Sequence, residues 1–158
     1  MTRTVALLIV ILGIVPACRP PAPARSSHGP EFLASPQTLS LGLPFSDAVR
    51  AGDFIFVSGQ LGTVADKDAL APGGIGPEAA QALDNVKAIL ERHGSSMEAV
   101  VKCTVFLADI RDWAAFNAVY RERFGTHFPA RSAVGSNGLS LGARVELECT
   151  AYAPASRP

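Results

Sequence analysis

Phe54-Ile55-Phe56-Val57 is the segment that most limits what this chain can fold into. It contains no polar residue, with Gly52-Asp53 before it and Ser58-Gly59 after it, so it reads as a short strand. Side chains alternate across a strand, so this one offers apolar groups to both faces of a sheet. A sheet built around it needs cover on both sides.

The helices the sequence supplies cover only one side. Pro77 is suited to the first turn of a helix, where a missing N–H does no harm, and Glu78 suits the helix dipole. Ala79, Ala82, Leu83, Val86, Ile89 and Leu90 then recur at helical spacing, and Gly94 ends the run. His93, just before that stop, would complement the dipole when charged. Val100 to Leu107 reads as the next strand. A second helix is predicted from Asp112, with Trp113, Phe116, Val119, Tyr120 and Phe124 on its core face and Gly125 as its stop. Strands are predicted near 131–135 and 144–152, and Leu39–Val49 is expected to add a first strand. The glycine- and proline-rich residues 62–76 read as a surface loop.

This order describes an α+β domain: a mixed sheet of about four to six strands with two helices on one face. The economical cover for the other face is a second copy of the same sheet, which makes the chain a homo-oligomer. The alternative is a monomer whose N-terminal segment covers that face.

Three segments are expected: a signal over 1–17, a tether over 18–37 and the folded domain over 38–154. Arg3 precedes an apolar run from Val5 to Val15, the length of a signal-peptide core and too short to span a bilayer. The run ends in Val15-Pro16-Ala17-Cys18, which resembles a bacterial lipobox with Cys18 as the lipidated residue. That reading makes the protein exported and anchored in the cell envelope through its N-terminus. An ordinary secretory signal with an incidental Cys18, or a buried N-terminal strand, are the alternatives. Arg19-Pro20-Pro21-Ala22-Pro23 and the residues after it are too polar and proline-rich to build a core, hence the tether.

With 14 basic and 14 acidic residues the chain has no net charge, and no basic stripe points to nucleic acid. No Cys-x-x-Cys or His/Cys cluster suggests a metal site. Cys103 and Cys149 fall in predicted strands and are expected to be buried thiols packed as small hydrophobes. Pairing would need the strands to set them face to face.

Two charged residues stand apart. Arg131 follows Pro129-Ala130, which sends an extended backbone into it. Its guanidinium can grip a carboxylate through two parallel N–H bonds. In Val145-Glu146-Leu147-Glu148 the alternation turns Glu146 and Glu148 away from the helices. A fixed cation and a fixed carboxylate can together hold an anionic substrate and a water. The ordinary alternatives are a surface arginine and the solvent side of an edge strand.

Seven segments, in order, resemble the RidA/YjgF family of enamine/imine deaminases. They are Pro44-Phe45-Ser46-Asp47-Ala48-Val49, Phe56-Val57-Ser58-Gly59-Gln60, Asp84-Asn85-Val86-Lys87-Ala88-Ile89, Val101-Lys102-Cys103-Thr104-Val105-Phe106-Leu107, Phe116-Asn117-Ala118-Val119-Tyr120, Phe128-Pro129-Ala130-Arg131-Ser132 and Val145-Glu146-Leu147-Glu148. The likeness spans about residues 40 to 153. It implies a chorismate-mutase-like fold and a homotrimer with sites between subunits. It also implies hydrolysis of 2-imino acids to 2-oxo acids and ammonia, without cofactor or metal. By the resemblance Arg131 binds the substrate carboxylate, Glu146 positions water, and Phe45, Ser58, Gly59, Asn117 and Ala133 line the site. Phe45 replaces a tyrosine common in the family, Ala133 a cysteine often found there, and Gly135-Ser136-Asn137-Gly138-Leu139 departs from the usual run. These changes bear on the substrate rather than the fold. They leave a second reading open, a non-catalytic, envelope-tethered module that binds a small carboxylate.

Overall fold

In the last strand of the domain, burial alternates strictly. Val145, Leu147, Cys149 and Ala151 are buried, while Glu146, Glu148, Thr150 and Tyr152 are not. That pattern is the signature of a sheet with one packed and one open face. The computed structural model describes residues 29–64, 67 and 69–154. Cys18 and the apolar run before it lie outside the described residues.

The sheet has six strands: β1 (Glu31–Leu33), β2 (Ala48–Ala51), β3 (Phe54–Leu61), β4 (Val100–Leu107), β5 (Ala130–Gly135) and β6 (Val145–Tyr152). Their spatial order is β1-β2-β3-β6-β4-β5. Only β4 and β5 run parallel, so the sheet is mixed, with β5 on one edge. Helices α2 (Ile75–Arg92) and α3 (Trp113–Phe124) pack on one face, and the short helix α1 (Pro36–Ser40) lies near the other end of the chain. The core between helices and sheet includes Ile55, Val57, Leu83, Val86, Phe116 and Leu147. The mixed sheet with two helices on one face agrees with the expectation from sequence.

Several expectations are corrected. Leu39–Val49 is not one strand. Pro36–Ser40 is a helical turn capped by the Ser35 hydroxyl, and the strand starts only at Ala48. Asp47 holds that turn in place by accepting from the Ser35 backbone N–H at 2.6 Å and from the Thr38 hydroxyl. Within the stretch expected to be tether, Glu31–Leu33 pairs with β2 and sets Leu33 in the core. Helix α2 begins at Ile75, two residues before Pro77, which remains within its first turn. His93 is less ready to carry a charge at the helix end than its position alone suggests. Burial, together with Arg92 and Arg50, pushes its imidazole down, and Arg50 donates to its carbonyl at 2.6 Å.

Cys103 and Cys149 form a disulfide rather than two free thiols. The antiparallel register of β4 and β6 sets them directly opposite one another, with their Cα atoms 4.1 Å apart. Adjacent-strand partners share a face, so both sulfurs reach the core side together.

The open face carries what the two-sided strand promised. Ile55 and Val57 are buried, but Phe54 and Phe56 are 39% and 47% exposed. Tyr152, whose ring meets Phe54 edge-on, and Val134 are exposed as well.

Candidate active site

The entrance of β6 is fixed from the helix layer. Glu78, buried in the first turn of α2, accepts the backbone N–H of Arg144 at 2.8 Å. The Arg144 guanidinium forks onto Asp112 at 2.7 and 2.9 Å, just before α3. Asp112 therefore spends its carboxylate on Arg144 instead of capping the helix. This clamp sets where Glu146 emerges.

Glu146 points to the open face and lies beside Gly59. A Cβ at Gly59 would fall 2.0 Å from the Glu146 Oε1, so only glycine leaves that carboxylate its place. Ser58 and Gly59 sit at a break in register between β3 and β6, the irregularity that makes the room. The Ser58 hydroxyl donates to the Ser46 carbonyl at 2.7 Å, and the Ser58 N–H to the Asp47 carbonyl at 3.0 Å. These bonds tie the Phe45-Ser46 segment to the bulge. Phe45 itself is mostly exposed. The expected residues Phe45, Ser58, Gly59 and Glu146 thus form one connected group.

Arg131 belongs to another. It pairs across the ladder with Cys103, whose side chain is in the core, so Arg131 faces the helix layer. Its guanidinium carbon lies 4.5 Å from the Tyr120 ring centroid, 5.3 Å from Trp113 and 5.6 Å from Phe116. All three are within cation–π range. No carboxylate pairs with Arg131 among the described residues. It lines a pocket of about 380 Å³ with Asn117, Ala133, Trp113, Tyr120 and Arg121. The site residues inferred from sequence therefore fall into two sets. Arg131, Asn117 and Ala133 meet in this pocket, and Glu146 lies on the opposite face of the same sheet. Two strand spacings, about 10 Å, separate β5 from β6 as well.

Besides Phe128 and Pro129 of the Arg131 motif, three pocket residues on α3 lie outside the set expected from sequence. Trp113 was read as core, yet it is 40% exposed at the pocket mouth. Tyr120 is buried and its hydroxyl has no hydrogen-bond partner among the described residues. Burial pushes its phenol up to about 12, against the pull of Arg131, so it stays protonated. Arg121 carries no motif of its own. Trp113, Asn117 and Arg121 recur every four residues on α3, a second stripe beside the core stripe Phe116, Tyr120, Phe124. That spacing was the available signal. Among the described residues no cluster of acidic, histidine or cysteine side chains is arranged to hold a metal ion.

A family model described as Endoribonuclease L-PSP matches residues 37–153. The chain belongs to this family, RidA/YjgF. A curated relative of this RidA/YjgF chain, the 2-iminobutanoate/2-iminopropanoate deaminase of Capra hircus, is 46% identical over 108 residues, covering 68% of this chain and 79% of the relative. Among solved structures, RidA of a Psychrobacter species is 35% identical with a TM-score of 0.67, covering 77% of this chain and 93% of that one. The Rid-family protein YyfA of Yersinia pestis is 31% identical with a TM-score of 0.72, over 78% and 99% of the two chains. Each match covers most of the other protein, so the RidA/YjgF likeness concerns the whole domain.

Proposed function

We propose that this RidA/YjgF chain hydrolyses reactive 2-imino acids, which interconvert with 2-amino-enoic acids, to 2-oxo acids and ammonia. The observation that carries the reading is Arg131: a guanidinium with no carboxylate partner among the described residues, held over aromatic rings inside a pocket. Such a group awaits an anion. The relatives named as 2-iminobutanoate/2-iminopropanoate deaminases, at 42–46% identity, supply the reaction class.

In this reading Arg131 binds the substrate carboxylate and Glu146 orients the water that attacks the imino carbon. An iminium carbon is already electrophilic, so holding the partners in place does most of the catalysis. Because Arg131 and Glu146 face opposite ways in one chain, a complete site takes Arg131 from one copy and Glu146 from another. The exposed Phe54, Phe56 and Tyr152 on the open face supply an apolar surface for that assembly, for which we propose a homotrimer. We further propose that the protein is exported and lipid-anchored through Cys18. The Cys103–Cys149 disulfide favours an oxidising compartment.

The family description carries the word endoribonuclease. Balanced charge, with 14 basic and 14 acidic residues, and a small aromatic pocket favour a small anion over an RNA backbone. The second reading, a module that binds a small carboxylate without turnover, draws on Phe45 and Ala133.

The test is 2-oxo acid formation from 2-iminopropanoate generated in situ by an amino-acid oxidase. The wild type should exceed buffer, and Arg131→Ala should lose roughly 10²-fold or more in kcat/KM. Equal rates for the two would sink the assignment of Arg131, and a wild type equal to buffer would favour the binding module.

A further inference from the structure

Arginines in this fold have acidic partners almost throughout. Arg50 lies within 4.0 Å of Glu31, Arg92 within 3.9 Å of Asp47 and Arg111 within 2.5 Å of Asp109. Arg123 lies within 2.9 Å of Asp84 and Arg144 within 2.7 Å of Asp112. Among the described residues Arg121 and Arg131 are the exceptions, and both line the same pocket of about 380 Å³. They reach it from different elements, Arg121 from α3 and Arg131 from the edge strand β5. Two like charges in one cavity repel each other until something neutralises both. Asn117, one turn before Arg121 on the same helix face, adds an amide that can donate and accept. The volume suits a small molecule.

We propose that this pocket selects a dicarboxylate: a 2-imino acid whose side chain ends in a second carboxylate. The 1-carboxylate sits on Arg131 and the distal one on Arg121. This rests on the imine-hydrolysis reading and adds the substrate class to it. The reaction is a hydrolysis. Water adds its oxygen to the imino carbon while the C=N π pair moves to nitrogen, giving a carbinolamine. The C–N bond then breaks, ammonia leaves with the proton the hydroxyl gives up, and a 2-oxo diacid remains. One water is consumed, one ammonia is released, and nothing is oxidised or reduced.

The test compares kcat/KM for 2-iminosuccinate, 2-iminopropanoate and 2-imino-3-phenylpropanoate, each generated in situ from its amino acid by an oxidase. The purified protein should prefer the diacid. Arg121→Met should lower the ratio of diacid to monoacid kcat/KM by roughly tenfold, the scale of one lost charge-assisted contact. Arg121→Lys should recover part of that ratio. Arg121 is exposed, and thermal melts of both variants check that the fold is intact. A preference for either monoacid, or a ratio that Arg121→Met leaves unmoved, overturns the proposal. If no imine is hydrolysed above buffer, the deaminase reading has failed by itself, and binding decides the pocket. Oxaloacetate bound more tightly than pyruvate by the wild type, and not by Arg121→Met, sustains the dicarboxylate site. Equal or absent binding overturns it.

Discussion

A methyl group at Gly59 would sit 2.0 Å from the Glu146 Oε1, 3.0 Å from its Cδ and 3.2 Å from its Cγ. All three atoms belong to one side chain that can swing aside. Gly59→Ala should therefore cost the fold little and the site much. A carboxylate displaced by about 1 Å predicts a fall of roughly 10²-fold in imine hydrolysis with a nearly unchanged melting temperature. A variant that melts early and keeps its activity would contradict this. Tyr120 predicts the reverse. Its buried hydroxyl has no partner among the described residues, so Tyr120→Phe should leave stability unchanged or raise it by up to about 1 kcal/mol in chemical denaturation. A clear loss would mean that the hydroxyl is bonded after all. At this scale the motifs marked Arg131 and Asn117, and the structure brings these two into one pocket. The sequence was misleading at Trp113, because the spacing that joins it to Phe116 and Tyr120 cannot tell where a core stripe gives way to a pocket wall.

Elements were legible where the chain is punctuated. Gly125 closes α3 with φ 60°, and Val100–Leu107 has the bounds its pattern suggested. The start of the domain was not, because what holds Pro36–Ser40 helical is Asp47, twelve positions from the Ser35 it binds. A local window does not contain that contact. The disulfide was hidden for a related reason. Cys103 and Cys149 are 46 residues apart, and only the β4–β6 register brings them together. The bond staples two central strands and closes a long loop. Replacing both cysteines with alanine should lower unfolding free energy by about 2–4 kcal/mol, read as a shift in the denaturation midpoint. Coincident midpoints for wild type and double variant would argue against the bond.

For the whole molecule, the apolar open face was foreseen from one four-residue strand, and the helix count showed that it would lack cover. The resemblance implied sites between subunits, but not that Arg131 and Glu146 face opposite ways in one chain, because alternation fixes the face of Glu146, whereas the face of Arg131 depends on the parallel pairing with β4. A site shared between copies predicts complementation. Arg131→Ala and Glu146→Gln should each be nearly inactive alone. Co-refolded in equal amounts, they should regain about a quarter of the wild-type activity, the share of interfaces that random assembly leaves with both native residues. No recovery from a mixture shown to have exchanged subunits would place both residues of a working site in one chain.

The opposed directions of Arg131 and Glu146 also bear on when such a protein begins to act. If the site is shared between copies as proposed, a newly made chain carries half of each of two reaction centres and none whole. On that proposal a lone chain is chemically silent, and its onset of turnover is timed by encounter with its own kind. Activity should then fall on dilution more steeply than protein concentration does, so that specific activity drops at concentrations where the fold itself is still intact.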